Sequence, residues 1–139
     1  MSSVEAGEFK ILIVDDDPLI RDFLGAFCEV NGYRAKIASN GHDALSLLQE
    51  DGNYSLVIVD FLMPNMHGIE FMRQVREKWK TISIIAMSAW EDIGQSFIKA
   101  GACLFLEKPF DPYVLEKEIE AIRNEGIPSC PGHAHNDND

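Results

Sequence analysis

No stretch of this 139-residue chain is apolar for long enough to span a bilayer, and residues 1–8 lack the apolar centre of a signal peptide. These two facts lead us to expect a cytoplasmic protein. Cysteine is scarce. Cys28, Cys103 and Cys130 are odd in number and far apart, which excludes a disulfide framework and fits a reducing compartment. Cys28 and Cys103 sit in apolar patterns and read as small core residues. Positive charge is also short: 12 Lys and Arg against 23 Asp and Glu give a formal net charge of −11. That balance argues against a general nucleic-acid or anionic-membrane surface, because both partners are polyanions. Neither a glycine-rich dinucleotide fingerprint nor a P-loop follows the first apolar run, so nucleotide binding finds no support.

What is present is a core. Hydrophobic residues make up 46% of the chain, enough for one packed domain at this length. Residues 9–14 form a continuous apolar run, as expected of a strand buried on both faces. Asp17-Pro18 then opens a helix, the aspartate as N-cap and the proline in the first turn. Leu19, Ile20, Phe23, Leu24, Phe27 and Cys28 follow at helical spacing, and Asn31-Gly32 stops the helix. Residues 34–38 are a less apolar strand, expected near an edge. Asn40-Gly41 starts a second helix with Ala44, Leu45, Leu47 and Leu48 inward. Residues 55–59 read as the third strand. Residues 66–79 read as a helix with Ile69, Met72, Val75, Arg76 and Trp79 on one stripe.

Residues 82–87 read as the fourth strand, 91–100 as a helix weakened by Gly94, and 102–106 as the fifth strand. Asp111-Pro112 repeats the helix-opening pair, with Val114, Leu115, Ile119 and Ile122 lining that last helix. Strands alternating with helices through short loops predict an α/β fold: parallel strands, right-handed crossovers and helices on both faces, a doubly wound sheet. The expected organisation is a polar lead over 1–8, one domain over 9–125, and a disordered tail over 126–139.

Asp60 is the most informative residue. It ends the apolar run Leu56-Val57-Ile58-Val59, and a carboxylate there is costly unless something needs its charge. Asp15 and Asp16 end the first strand, Ser88 ends the fourth, and Lys108 follows the fifth. In an open α/β sheet, ligands bind beyond the carboxyl ends of the strands. Three carboxylates within a few ångströms raise one another's pKa, and a hard divalent cation such as Mg²⁺ resolves the conflict. An aspartate can act as nucleophile toward phosphorus and form an acyl phosphate. Metal, Lys108 and Ser88 would then face the phosphoryl oxygens. A structural ion-pair cluster is the bland alternative, and Ser88 could merely cap a following helix.

These motifs resemble those of response-regulator receiver domains of two-component signalling, the CheY-like family. The resemblance rests on Ile11-Leu12-Ile13-Val14-Asp15-Asp16-Asp17-Pro18, on Asp60-Phe61-Leu62-Met63-Pro64-Asn65-Met66-His67-Gly68, on Ser88-Ala89, and on Lys108-Pro109-Phe110. It covers roughly residues 9–125. It implies a flavodoxin-like sheet of five strands in the order 2-1-3-4-5 with five helices. It also implies Asp60 as phosphoacceptor, and Asp15, Asp16 and Asp60 with the backbone carbonyl of Leu62 as the Mg²⁺ site. Ser88 and Lys108 would contact the phosphoryl group, and Pro109 would follow a cis peptide bond. Ser88 and Phe105 would be the switch pair, and Gly68 would permit a backbone turn.

The resemblance further implies that Leu62 and Trp90 stand at the two positions that tune attack of water on the acyl phosphate. Both are apolar and neither can orient a water, so slow self-dephosphorylation is expected. The implied partners are a histidine kinase or histidine phosphotransfer protein and a downstream protein or output domain. Phosphorylation would change the surface formed by the helix over 91–100, the fifth strand and the last helix, and phosphorylation-linked homodimerisation would follow by analogy alone. With no output domain after residue 125, the chain would act as a stand-alone regulator or as a piece of a longer one; the starting Met favours the former.

Two other functions compete. A phosphatase of the haloacid-dehalogenase class also uses a strand-end aspartate with Mg²⁺, but it needs an acid two positions later, where this chain has Leu62. An enzyme is therefore not expected. A docking module that is never phosphorylated would have lost a key residue, and none is lost. Cys130, His133 and His135 fit no strong zinc spacing, and His42 and His67 read as solvated loop residues.

Overall fold

The computed structural model describes residues 8–60, 68–88, 98–99 and 101–125. Five strands, β1 (Lys10–Val14), β2 (Arg34–Ala38), β3 (Leu56–Asp60), β4 (Ser83–Ser88) and β5 (Leu104–Glu107), form one parallel sheet in the order β2-β1-β3-β4-β5. The described helices are α1 (Pro18–Val30), α2 (Gly41–Glu50), α3 (Gly68–Lys78) and α4 (Pro112–Glu125). Of the further helix expected over 91–100, Ile98 and Lys99 are helical and the rest lies outside the described residues. None of the described helices is long and apolar enough to cross a membrane.

Alternation along each strand divides the core in two. Leu12, Val14, Val57 and Val59 pack with Ala44, Leu48, Phe71 and Val75 of α2 and α3. Ile11, Ile13, Leu56 and Ile58 pack on the other face with Leu24 and Cys28 of α1 and with Leu115 and Ile119 of α4. β1 and β3 are buried on both faces, which is why their sequences are apolar without alternation. Each fully buried Leu or Ile contributes about 1.5–3 kcal/mol of hydrophobic stabilisation.

Helix starts follow the sequence closely. Asp17 accepts a hydrogen bond from Leu19 N–H at 2.9 Å, with Pro18 in the first helical turn. Asn40 accepts from Asp43 N–H at 2.8 Å and Asp111 from Tyr113 N–H at 2.9 Å. Three other details depart from the sequence reading. Cys103 is only partly buried, because it precedes β5 at the rim of the sheet, whereas Cys28 is fully buried. Arg76, expected on the inward stripe of α3, instead donates to the carbonyls of Lys80 (3.0 Å), Ile82 (2.8 Å) and Gly101 (2.8 Å). It thereby satisfies acceptors at the end of α3 and pins the approach to β5, where Gly101 has φ +119° and an added Cβ would meet Arg76 Nε at 3.2 Å. Lys10, inside an apolar run, is 7% exposed; its ammonium pairs with Asp51 at 2.6 Å and lies 4.4 Å from the Tyr54 ring centre.

Candidate phosphoacceptor site

The parallel sheet brings the carboxyl ends of β1, β3, β4 and β5 to one edge, and the polar residues of the sequence pattern meet there. Asp60 is the last residue of β3, in register with Met87 of β4, and Ser88 is the last of β4, in register with Glu107. β3 and β4 each run one residue further than the apolar pattern implies, so Asp60 and Ser88 project from strand backbone, whereas Asp15, Asp16 and Lys108 stand just past the ends of β1 and β5.

Oxygen atoms of Asp15, Asp16 and Asp60 lie within 4.8 Å of one another. Asp15 is fully buried, Asp60 is 7% exposed, and Asp16 is exposed. Lys108 Nζ lies 2.7 Å from Asp60 Oδ1 and 3.1 Å from Asp15 Oδ2. Its backbone N–H donates to Ser88 C=O at 2.7 Å, which ties the loop after β5 to the end of β4. The Lys108–Pro109 peptide bond is cis.

Asp15 is anchored on every side. Its N–H donates to Ala38 C=O at 3.2 Å, its Oδ1 accepts from Asp17 N–H at 2.9 Å, and its C=O accepts from Arg21 Nη1 at 3.0 Å. Burial pushes its carboxyl above the usual aspartate range and the charge of Asp16 adds to this; the Asp17 N–H and Lys108 oppose it without cancelling it. Burial also pulls on Lys108 in the direction of neutrality, but the hydrogen bonds and charges of Asp60 and Asp15 outweigh it, so the ammonium titrates above the ordinary lysine range. The pocket thus holds one firmly charged cation among three carboxylates, an excess of negative charge that a hard cation would offset. All three side-chain donors are carboxylate oxygens, the ligand type that Mg²⁺ takes.

Phe105 is fully buried on the α2/α3 side of the sheet, in register with Ala86. Ser88 is 4% exposed. Leu62, Trp90, His67, Cys130, His133 and His135 lie outside the described residues, and His42 is exposed at the start of α2. Two features beside the site went unread in the sequence. One is the Arg21 tie to the end of β1. The other is a cavity of about 410 Å³ next to Lys108, lined by Ile20, Phe23, Pro109 and Phe110. The apolar Phe110 directly after Lys108-Pro109 is the only sequence signal for the cavity.

Comparison with known proteins agrees with this geometry. The family described as the response regulator receiver domain matches residues 11–120. The transcriptional regulatory protein ResD of Bacillus subtilis is 36% identical over 120 residues, covering 85% of this chain and 49% of that protein. An uncharacterised 14.6 kDa protein of Leptolyngbya boryana is 37% identical over 117 residues, covering 81% of this chain and 88% of that one. Among solved structures, the chemotaxis response regulator CheY4 of Vibrio cholerae superposes with a TM-score of 0.76 at 30% identity, covering 82% of this chain and 98% of that one. The pocket at the strand ends and the match over residues 11–120 lead to one conclusion: the chain belongs to the response-regulator receiver domain family. It spans about half the length of several of the regulators it matches, 49% of ResD among them.

Proposed function

We propose that this chain takes a phosphoryl group onto Asp60 from a phosphohistidine of a histidine kinase or histidine phosphotransfer protein, and that the acyl phosphate alters a surface read by a downstream partner. The observation that carries this reading is the convergence of Asp15, Asp16 and Asp60 within 4.8 Å beside Lys108. The side chains of Asp15, Asp16 and Asp60 and the backbone carbonyl of Leu62 would hold Mg²⁺, which when bound offsets the charge of the carboxylates and of the incoming phosphoryl oxygens.

A carboxylate oxygen of Asp60 forms a bond to phosphorus as the bond from phosphorus to the donor imidazole nitrogen breaks. The electron pair leaves with the ring nitrogen, which takes a proton from water. Lys108 moves from pairing with the carboxylate to pairing with a phosphoryl oxygen, and the Ser88 hydroxyl donates to another. Ser88 and Phe105 then pass the change to the face that includes β5, α4 and the segment over 91–100. Phosphorylation-linked pairing of two copies is one way to read that face. The activity is a single transfer to the protein itself, in the cytoplasm, not turnover of a substrate, because Leu62 supplies no acid for hydrolysis.

The experiment is incubation with Mg²⁺ and a small phosphodonor such as acetyl phosphate. An acid-stable, base-labile phosphate that Asp60→Asn abolishes is expected. Turnover of phosphate esters would support a phosphatase instead, and failure to incorporate phosphate or to bind beryllofluoride would support a docking module.

A further inference from the structure

Asp16 is exposed, so its carboxylate is aimed by its backbone and not by packing. Three hydrogen bonds close a circuit around it. Asp17 N–H donates to Asp15 Oδ1 at 2.9 Å, Arg21 N–H donates to Asp17 C=O at 3.0 Å, and Arg21 Nη1 donates back to Asp15 C=O at 3.0 Å. The last of these belongs to neither helix nor sheet. Asp15 N–H donates toward β2, to Ala38 C=O at 3.2 Å, and in extended backbone the C=O of a residue points the same way as its N–H. β2 ends at Ala38, so the ladder offers Asp15 C=O no further donor. The Arg21 guanidinium takes that place, with its side chain in the groove between α1 and β2 beside Ala35 and Ile37.

We infer that Arg21 is a positioning residue for the Mg²⁺ site, acting through the peptide plane that joins Asp15 to Asp16; this rests on the metal site proposed above. The C=O that Arg21 holds lies in that plane. Rotation of the plane would swing the Asp16 side chain away from Asp15 and Asp60, whose carboxylate oxygens lie within 4.8 Å of an Asp16 oxygen. A partner that orients a metal ligand counts nearly as much as the ligand itself. The rival account is that Arg21 acts by charge alone, and the two differ in sign. Removing a cation from beside a divalent-cation site tightens binding by charge and loosens it by position.

The test is Mg²⁺ binding by the full chain, measured by calorimetry beside the metal-free Tm. Arg21→Met keeps a long apolar side chain and removes both donor and charge, whereas Arg21→Lys keeps a donor of similar reach. Arg21→Met should weaken Mg²⁺ binding about tenfold, and Arg21→Lys should recover most of that loss. In an Asp16→Asn background the same Arg21→Met change should cost at most about twofold, because the ligand it aims is already lost. A metal-free Tm that falls while Mg²⁺ affinity stays at the parent value would overturn the inference, since Arg21 would then be a structural tie only. So would tighter binding by Arg21→Met, which is the signature of charge, or an undiminished loss in the Asp16→Asn background. A parent chain that binds no Mg²⁺ would instead remove the metal site itself, and the inference with it.

Discussion

The ammonium of Lys108 lies 2.7 Å from Oδ1 of Asp60 and so joins the ends of β5 and β3, two strands separated in the sheet by β4. Lys108 is also 3.1 Å from Asp15 Oδ2, and its backbone is bonded to Ser88. One residue therefore holds together the ends of four strands. This arrangement has consequences for stability as well as chemistry.

Lys108→Ala leaves two buried carboxylates without their counter-charge. Breaking a buried pair by removing one partner costs about 3–5 kcal/mol, so the urea midpoint at neutral pH should fall clearly. Phosphate incorporation should fall with it. An unchanged midpoint would mean that the bridge is not formed in solution.

Mg²⁺ should stabilise the folded chain, since the three carboxylates converge only when it is folded. At about 100 times the dissociation constant the gain is about 2.7 kcal/mol, read as a rise in Tm that a chelator reverses. Asp16→Asn should shrink that rise while leaving the metal-free Tm nearly unchanged, because Asp16 is exposed. A Tm indifferent to Mg²⁺ would count against the metal site.

The aspartyl phosphate should persist. Leu62 and Trp90 are apolar and cannot orient an attacking water. The lifetime measured with Mg²⁺ should shorten in Trp90→Glu. Loss within seconds, unaltered by that substitution, would refute the assignment.

Far from the pocket, Glu120 accepts from Tyr33 OH and pairs with Arg123 at 2.6 Å, linking α4 to the turn before β2. Arg123 foremost, then Tyr33, holds its carboxyl below the ordinary value of 4.5. A depressed carboxylate stabilises the fold above its unfolded-state pKa, and that contribution is lost as pH falls through the lower folded value. Glu120 is partly exposed, so the contribution is below about 1 kcal/mol. Unfolding measured from pH 6 downward should lose stability less steeply in Glu120→Gln than in the parent chain.

Much of this was legible in the sequence, and the reason is physical. The strand ends and the candidate pocket were legible in apolar runs that stop at Asp15, Asp60, Ser88 and Lys108, because each charge or hydroxyl is expensive anywhere in a buried strand except at its end; the strand order came only with the family resemblance. The helix starts were legible because a cap acts within three residues. The roles of Arg76, Arg21 and Lys10 were not, because their partners, such as Gly101 and Asp51, are brought near only by the folded chain. Cys103 looked like core since periodicity reports an apolar neighbourhood and not how close a residue lies to the rim.

The central claim is that Asp60 is the phosphoacceptor, and the most direct measurement is chemical. After incubation with Mg²⁺ and acetyl phosphate, borohydride reduces an aspartyl phosphate to homoserine, which peptide mass spectrometry locates. The account predicts homoserine at position 60 and nowhere else. Phosphate that survives borohydride at Ser88, or homoserine at position 15 or 16 with Asp60 intact, would contradict it.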